Sequence, residues 1–508
     1  MKTGRLSSLL AALLLSPWSP ISAETVKPPY FGIHAVDEAT GRGIPLVELR
    51  TVNDIRGITD NAGWIAFYEP GLMDRELWFY VSLSPGYEKA KDGFGYTGLR
   101  VTPRAGETVT VKLKRTNIAE RIARSTGQGL FRDSEMLGLP HALPNMNNGG
   151  VMGQDSVQAV PYRGRIFWLW GDTNVPQYPL GNFRSTCATT ALDLKPESGI
   201  AFDYFTDPAS PSRLRAMMPD SAPGAVWLFG LLTVADEKGE EALVAHFGRY
   251  KGLQPPEEHG MCRFNDAKGI FERVLTLPND EKWRYAEGNA LRVRESDGEY
   301  FHFAFPFCQT RVKATWNDVM NPASYEALRF DEGSKAWSWQ REKPPTTQDD
   351  ETKLLLAKKM RPDQARYRLK DASTGKLIRL HNGSIHWNEY RKCFILIGLQ
   401  KGEKTDPSPL GEVWYSEAAS PSGPWHDAVK VASHPRYTYY NPVHHAFLDA
   451  DGGKTIYFEG TYSLEFSGNP LAPARYDYNQ LMYRLDLSHP QLAPAQKQTP
   501  IHPTIEKP

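Results

Sequence analysis

From residue 28 to residue 115 apolar and polar positions alternate in short runs. GIHAVDEATGRGIPLVELRT, GITDNAGWIAFYEP, ELWFYVSLSPGYE and ETVTVKLKR each read as strands parted by Gly, Pro, Asp and Asn turns, which predicts a small all-β unit. Asn117 to Leu139 breaks that rhythm with good helix formers interrupted by Gly127 and Gly129, and residues 116–148 read as a helical or irregular connector. From 149 to 488 helical periodicity all but disappears, and aromatic and β-branched runs alternate with turn signals. Residues 489–508 are Pro-rich and read as a loose tail.

Within 149–488 one pattern recurs. Asp155 precedes Trp168 by 13 positions across the turn YRGR, and Glu287 precedes Tyr300 by 13 across ESDGE. His381 stands in the same relation to Phe394 across WNEYRK, and His444 to Tyr457 across DADGGK. A polar residue opens a strand, a turn follows, and an aromatic sits at a fixed offset on the return. A further unit begins near Val226 with a longer hairpin. Radially repeated units of roughly 50 to 70 residues predict a five-bladed β-propeller behind the small β-sandwich. In that geometry the openings of the innermost strands converge on one mouth.

Composition narrows the surroundings. The start MKTGRLSSLLAALLLSPWSPISAETV has a charged beginning, an apolar Leu9–Leu15 stretch and a small-residue cleavage site at 21–23, so residues 1–23 read as a signal peptide and the mature chain as secreted or periplasmic. Lys+Arg and Asp+Glu both number 59; losing Lys2 and Arg5 with the signal gives 57 − 59, or −2. No basic tract argues for nucleic acid, and no later apolar run is long enough to span a membrane. Four cysteines (Cys187, Cys262, Cys308, Cys393) lack metal-type spacing; they read as up to two disulfides or as small buried hydrophobes.

Convergence brings Asp155, Glu287, His381 and His444 together, and two carboxyls facing one pocket are the minimum for glycoside hydrolysis: one protonates the leaving oxygen, the other activates water or attacks. Trp168, Trp170, Tyr178 and Tyr440 offer ring faces to sugars, with at most one of Trp168 and Trp170 facing the funnel. Arg184, in LGNFRST, is a candidate clamp for substrate hydroxyls or carboxylate, although a surface ion pair is the commoner fate of a lone arginine. Asp155 also reads as a strand cap, Asp172 as a turn aspartate, and His381 and His444 as polar groups lining a wet channel.

The motifs carry a resemblance. Gln154-Asp155-Ser156, Glu287-Gly288-Asn289, Asn441-Pro442-Val443-His444 and the Ser-Pro-x-Gly-Pro-Trp core of SEAASPSGPWHDAVKV resemble the five-bladed propeller glycoside hydrolases of the arabinanase and β-xylosidase type. The resemblance implies Asp155 as general base, Glu287 as general acid and His444 as a channel histidine near a metal ion. No cofactor is required by it; a structural calcium ion in the central channel is the metal it allows. It departs from that pattern at the second blade, where Ala225 or Val226 stands in place of an aspartate. Gly153-Gln154-Asp155 with Gly171-Asp172-Thr173 is similar to a second set, the endo-D-arabinanase-like propellers, in which the two aspartates of one hairpin form the catalytic pair. VDEATGRGIPLVEL and TDNAGWIAF resemble the transthyretin-like sandwich that accompanies many secreted proteins. The expected partner is a polysaccharide or oligosaccharide. The rival expectations are a glycan- or protein-binding propeller without chemistry, and a lyase or metal-dependent enzyme built on His381, His444 and Tyr440.

Overall fold

The computed structural model describes residues 29–127, 129–139, 148–182, 184–219, 222–252, 254–284, 287–402 and 409–496. Residues 1–23, read as a signal peptide, lie outside them, as does the end of the Pro-rich tail.

The chain is all-β. Strands Phe31–Asp37, Trp64–Phe67, Thr108–Arg115 and Tyr87–Glu88 form one four-stranded sheet, and Glu48–Thr51, Arg56–Ile58, Leu77–Leu83 and Gly98–Val101 form another. Period-two alternation turns Ile33, Ala35, Leu49, Ile65, Phe67, Phe79, Val111 and Leu113 into one core.

Among the described residues five larger sheets follow, each beginning with its own hairpin. Their first strands are Gln158–Tyr162, Ala225–Ala235, Asn289–Glu295, Leu380–Asn388 and Thr438–His444. Each consecutive pair of sheets encloses an apolar core. Phe167, Leu169 and Leu228 pack between the first and second, Met261 and Phe303 between the second and third, Leu291 and Ile385 between the third and fourth, and Ile397 and Tyr439 between the fourth and fifth. The series returns on itself, because Trp168, Trp170, Val443 and Met482 form a core between the fifth sheet and the first.

Glu120–Arg124 lies in the stretch that reads as a connector, but it pairs with Asn479–Asp486 as the outer strand of the fifth sheet. Chain from ahead of the first sheet thus completes the last. Arg121, fully buried, donates to the carbonyls of Pro45, Leu46 and Pro85, tying this strand to the N-terminal sheets. Arg124 donates to Asn479 Oδ1 at 2.7 Å, Arg475 O at 2.8 Å and Met152 O at 2.7 Å. In the tail, Pro490–Ala495 forms a short 3-10 helix whose Leu492 enters the core beside the fourth and fifth sheets. All four cysteines are free and buried, so the small-hydrophobe reading describes them. Among the described residues no helix is long and apolar enough to cross a membrane.

Candidate active site

The first strand of the first sheet is preceded by Gly153–Gln154, which pairs with Thr173–Val175. This small ladder sets Asp155 opposite Asp172: the Asp155 amide donates to Asp172 O at 3.2 Å, and the Gly171 amide to Asp155 O at 2.9 Å. The motif residues around them have separate tasks. Gln154 is buried, donating to Thr186 Oγ1 at 2.7 Å and accepting from Tyr204 Oη at 2.9 Å. Thr173 Oγ1 meets Thr186 Oγ1 at 2.8 Å. Gly153 and Gly171 are there for closeness: a Cβ on the first would lie 2.2 Å from Tyr478 O, and on the second 2.2 Å from Asp155 Oδ1.

Asp155 and Asp172 line a cavity of about 1060 Å³ that also receives Glu287, Tyr440, Trp227, Tyr250, Lys282, Asn382, Phe466 and Tyr478. Side chains from all five sheets or their entry loops meet there; of the four residues that open the repeat, Asp155 and Glu287 line the cavity, while His381 and His444 do not. Asp155 Oδ2 accepts from Tyr440 Oη at 3.0 Å and Tyr478 Oη at 2.8 Å, while Oδ1 is buried without a hydrogen-bond partner. Burial raises its pKa to about 6, against the opposing pull of the two phenols. Asp172 Oδ1 accepts from Trp227 Nε1 at 2.7 Å. Burial, and then the charge of Asp155, push Asp172 up to about 7. Glu287 enters from the third sheet and is paired with Lys282 Nζ at 2.6 Å. Ring faces supply the rest of the wall. Trp227 and Tyr250 meet at 4.7 Å with their planes tilted by 40°, Phe466 meets Tyr440 edge-on at 5.7 Å, and Phe305 and Phe466 stay 44% and 58% exposed at the rim.

Ser156 and Asn441 line the same wall with φ of 54° and 53°. Asn441 Nδ2 donates to Ser156 Oγ at 2.6 Å, and Asn382 donates to Asn441 Oδ1, so a polar strap joins the first, fourth and fifth sheets. Phe466 and Tyr478, both with φ of 61°, line the cavity as well, and left-handed backbone at four non-glycine residues in one cavity is a local cost that the surrounding packing sustains.

Other expected site residues sit elsewhere. Trp170 does not face a sugar: it is fully buried, stacked on Trp168 at 6.1 Å between the first and fifth sheets. Residues two apart on a strand share a face, so both tryptophans turn away from the funnel while Phe167 and Leu169 take the opposite side. Arg184 is exposed and does not line the cavity. The side chain of Tyr178 lies outside the described residues. His381 is half-buried beside the lining residues Asn382 and Gly383, and burial followed by Lys401 lowers its pKa.

His444 is not the opening residue of its hairpin. It ends the strand Thr438–His444, and two short 3-10 turns at Ala446–Leu448 and Asp451–Gly453 replace a tight turn, so Tyr440 and Asn441 stand at the mouth instead. His444 lines a smaller pocket with His386 and His445, its Nε2 held by Asp449 Oδ1 at 2.7 Å. This imidazole-rich set does not fit a calcium ion, which takes six to eight oxygens. Among the described residues no group of three or more His, Cys, Asp or Glu is placed to hold a metal ion.

Tyr478, Trp227 and Lys282 escape the sequence pattern. Tyr478 lies in the turn before Asn479–Asp486, Trp227 on a strand without an acidic opening and Lys282 in the 3-10 turn Asn279–Arg284, so none of them stands at a position that the repeat marks.

No protein-family model and no curated protein matches the chain. Matching solved structures include an exo-β-1,3-galactanase from Phanerochaete chrysosporium with galactose, at 10% identity and TM-score 0.34, covering 66% of this chain and 61% of that one. An endo-1,4-β-xylanase from Bacteroides thetaiotaomicron matches at 10% identity and TM-score 0.34, over 67% and 92% of the two chains. A GH43_1 enzyme from Xanthomonas citri complexed with xylotriose matches at 10% and 0.34, over 69% and 89%. At such scores no residue role passes from them to this chain.

Proposed function

We propose that the protein is a glycoside hydrolase of poly- or oligosaccharides, a five-bladed β-propeller behind a transthyretin-like β-sandwich, working outside the cytoplasm as a secreted or periplasmic protein. The cyclic series of five inter-sheet cores supports the wheel. One observation carries the chemistry: Asp155 and Asp172 face each other across one hairpin, both with raised pKa, in a cavity walled by aromatic rings.

Between about pH 6 and 7 the coupled pair holds one proton, mainly on Asp172. Asp172 gives that proton to the glycosidic oxygen as the anomeric C–O bond breaks, and the leaving sugar departs as an alcohol. Water adds to the anomeric carbon and yields its proton to Asp155. Glu287, held by Lys282 in the same cavity, meets substrate hydroxyls. A second reading, a glycan-binding propeller without turnover, draws on the lack of a carboxylate where the second sheet opens at Ala225.

Asp155→Asn, Asp172→Asn and Glu287→Gln variants, assayed for binding and turnover on arabinans, xylans, fructans and galactans, test the assignment. Loss of about 10²- to 10⁴-fold in turnover with retained binding is expected for the first two. Undiminished turnover in both aspartate variants ends it, a comparable loss in Glu287→Gln alone moves the acid to that residue, and binding without turnover by the parent protein selects the second reading.

A further inference from the structure

We propose that Tyr440 and Tyr478 are positioning residues that grip one oxygen of Asp155 across the seam between the first and last sheets, and so set the orientation and protonation of the base. This rests on the hydrolase reading for its kinetic consequence, though not for the grip itself.

Both phenols donate to the same atom, Asp155 Oδ2, from chain positions 285 and 323 residues away. Both rings are buried, and burial raises their own pKa values, so they remain donors across the working range. The backbone around them leaves little freedom. Tyr478 has φ 61°, and its carbonyl lies against Gly153, where any Cβ would come within 2.2 Å. Asn479, the next residue, is held by Arg124 Nε at 2.7 Å. Tyr440 is braced by Phe466. A carboxylate gripped twice through one oxygen loses rotation about its last bond, and its other oxygen, bare of hydrogen bonds, carries the remaining basicity. The other ionisable groups around Asp155 are Asp172 across the hairpin and Glu287, Lys282, Glu465 and Lys251 on the cavity wall. The donors that reach Oδ2 are the phenols of Tyr440 and Tyr478, so removal of the phenol oxygens acts through the grip.

Phenol donation favours the ionised carboxyl. Tyr478→Phe and Tyr440→Phe therefore raise the pKa of Asp155, and the double variant raises it further. In the intact protein, infrared difference titration of the protonated Asp155 carboxyl band, identified by its loss in Asp155→Asn, reads this without any substrate. The band is expected to persist to higher pH in each Phe variant. In turnover, kcat is expected to fall roughly tenfold or more with KM little changed, and the acid limb of the pH profile to move upward. An unmoved carboxyl titration in the double variant overturns the proposal, as does a moved titration accompanied by an unchanged kcat and acid limb. A moved titration in a protein without any turnover upholds the grip and rejects the hydrolase reading alone.

Discussion

The two carboxyls of this hairpin owe their character to what covers them. Asp172 keeps one donor, Trp227, and sits where burial and Asp155 both oppose its charge. The activity profile should therefore be a narrow bell. The acid limb, near 6, follows ionisation of Asp155, and the alkaline limb, near 7, follows loss of the Asp172 proton. A kcat/KM profile from pH 4 to 9 checks both limbs; a plateau extending well above pH 8 rules out Asp172 as acid. The same shift has a stability consequence. A carboxyl whose folded pKa lies above its unfolded value contributes stability below the unfolded value, near 4, and loses it as pH rises towards the folded one. Asp172→Asn should thus be more stable than the parent above pH 7, by on the order of 1–2 kcal/mol after allowance for solvent in the cavity, and indistinguishable near pH 4. Urea unfolding at the two pH values measures it. Asp155 and Asp172 were legible because Gly-Gln-Asp and Gly-Asp-Thr bracket one hairpin. Tyr478 was not, since nothing in YDYNQ distinguishes a phenol that meets a carboxylate 323 residues away.

At the scale of the hairpin, Gly171 offers a clean perturbation. Its backbone is not left-handed, so alanine fits the chain, and the obstacle to a Cβ is Asp155 Oδ1 at 2.2 Å. Gly171→Ala should leave the melting temperature nearly unchanged while displacing the carboxyl; a misplacement of about 1 Å costs on the order of 10²-fold in rate. Thermal denaturation beside turnover separates the two effects, and full activity would show that Asp155 need not sit where it does. The strands were readable because aromatic and β-branched runs alternate with turn signals along the hairpins. The mouth of the fifth sheet was not, because the offset of 13 that links His444 to Tyr457 matches the other hairpins in sequence and not in register. A bulge between Tyr440 and Val443 and the two 3-10 turns absorb the difference.

For the molecule as a whole, Arg124 is the point at which separate parts depend on one side chain. Its guanidinium serves Met152, Arg475 and Asn479, and burial lowers its pKa to about 10. Arg124→Met leaves those acceptors unanswered and should destabilise the fold by about 3–5 kcal/mol. Chemical denaturation followed by tryptophan fluorescence checks this, and a loss under 1 kcal/mol would show that the seam closes without it. Helix formers around Gly127 concealed this strand, whose pairing partner lies some 360 positions further on. That pairing also fixes a time order in biosynthesis. By residue 172 a growing polypeptide already carries both acids, yet the phenol at 478 that holds one of them has still to be made, so that carboxyl gains its second grip only once the final sheet has been zipped to the strand at 120–124.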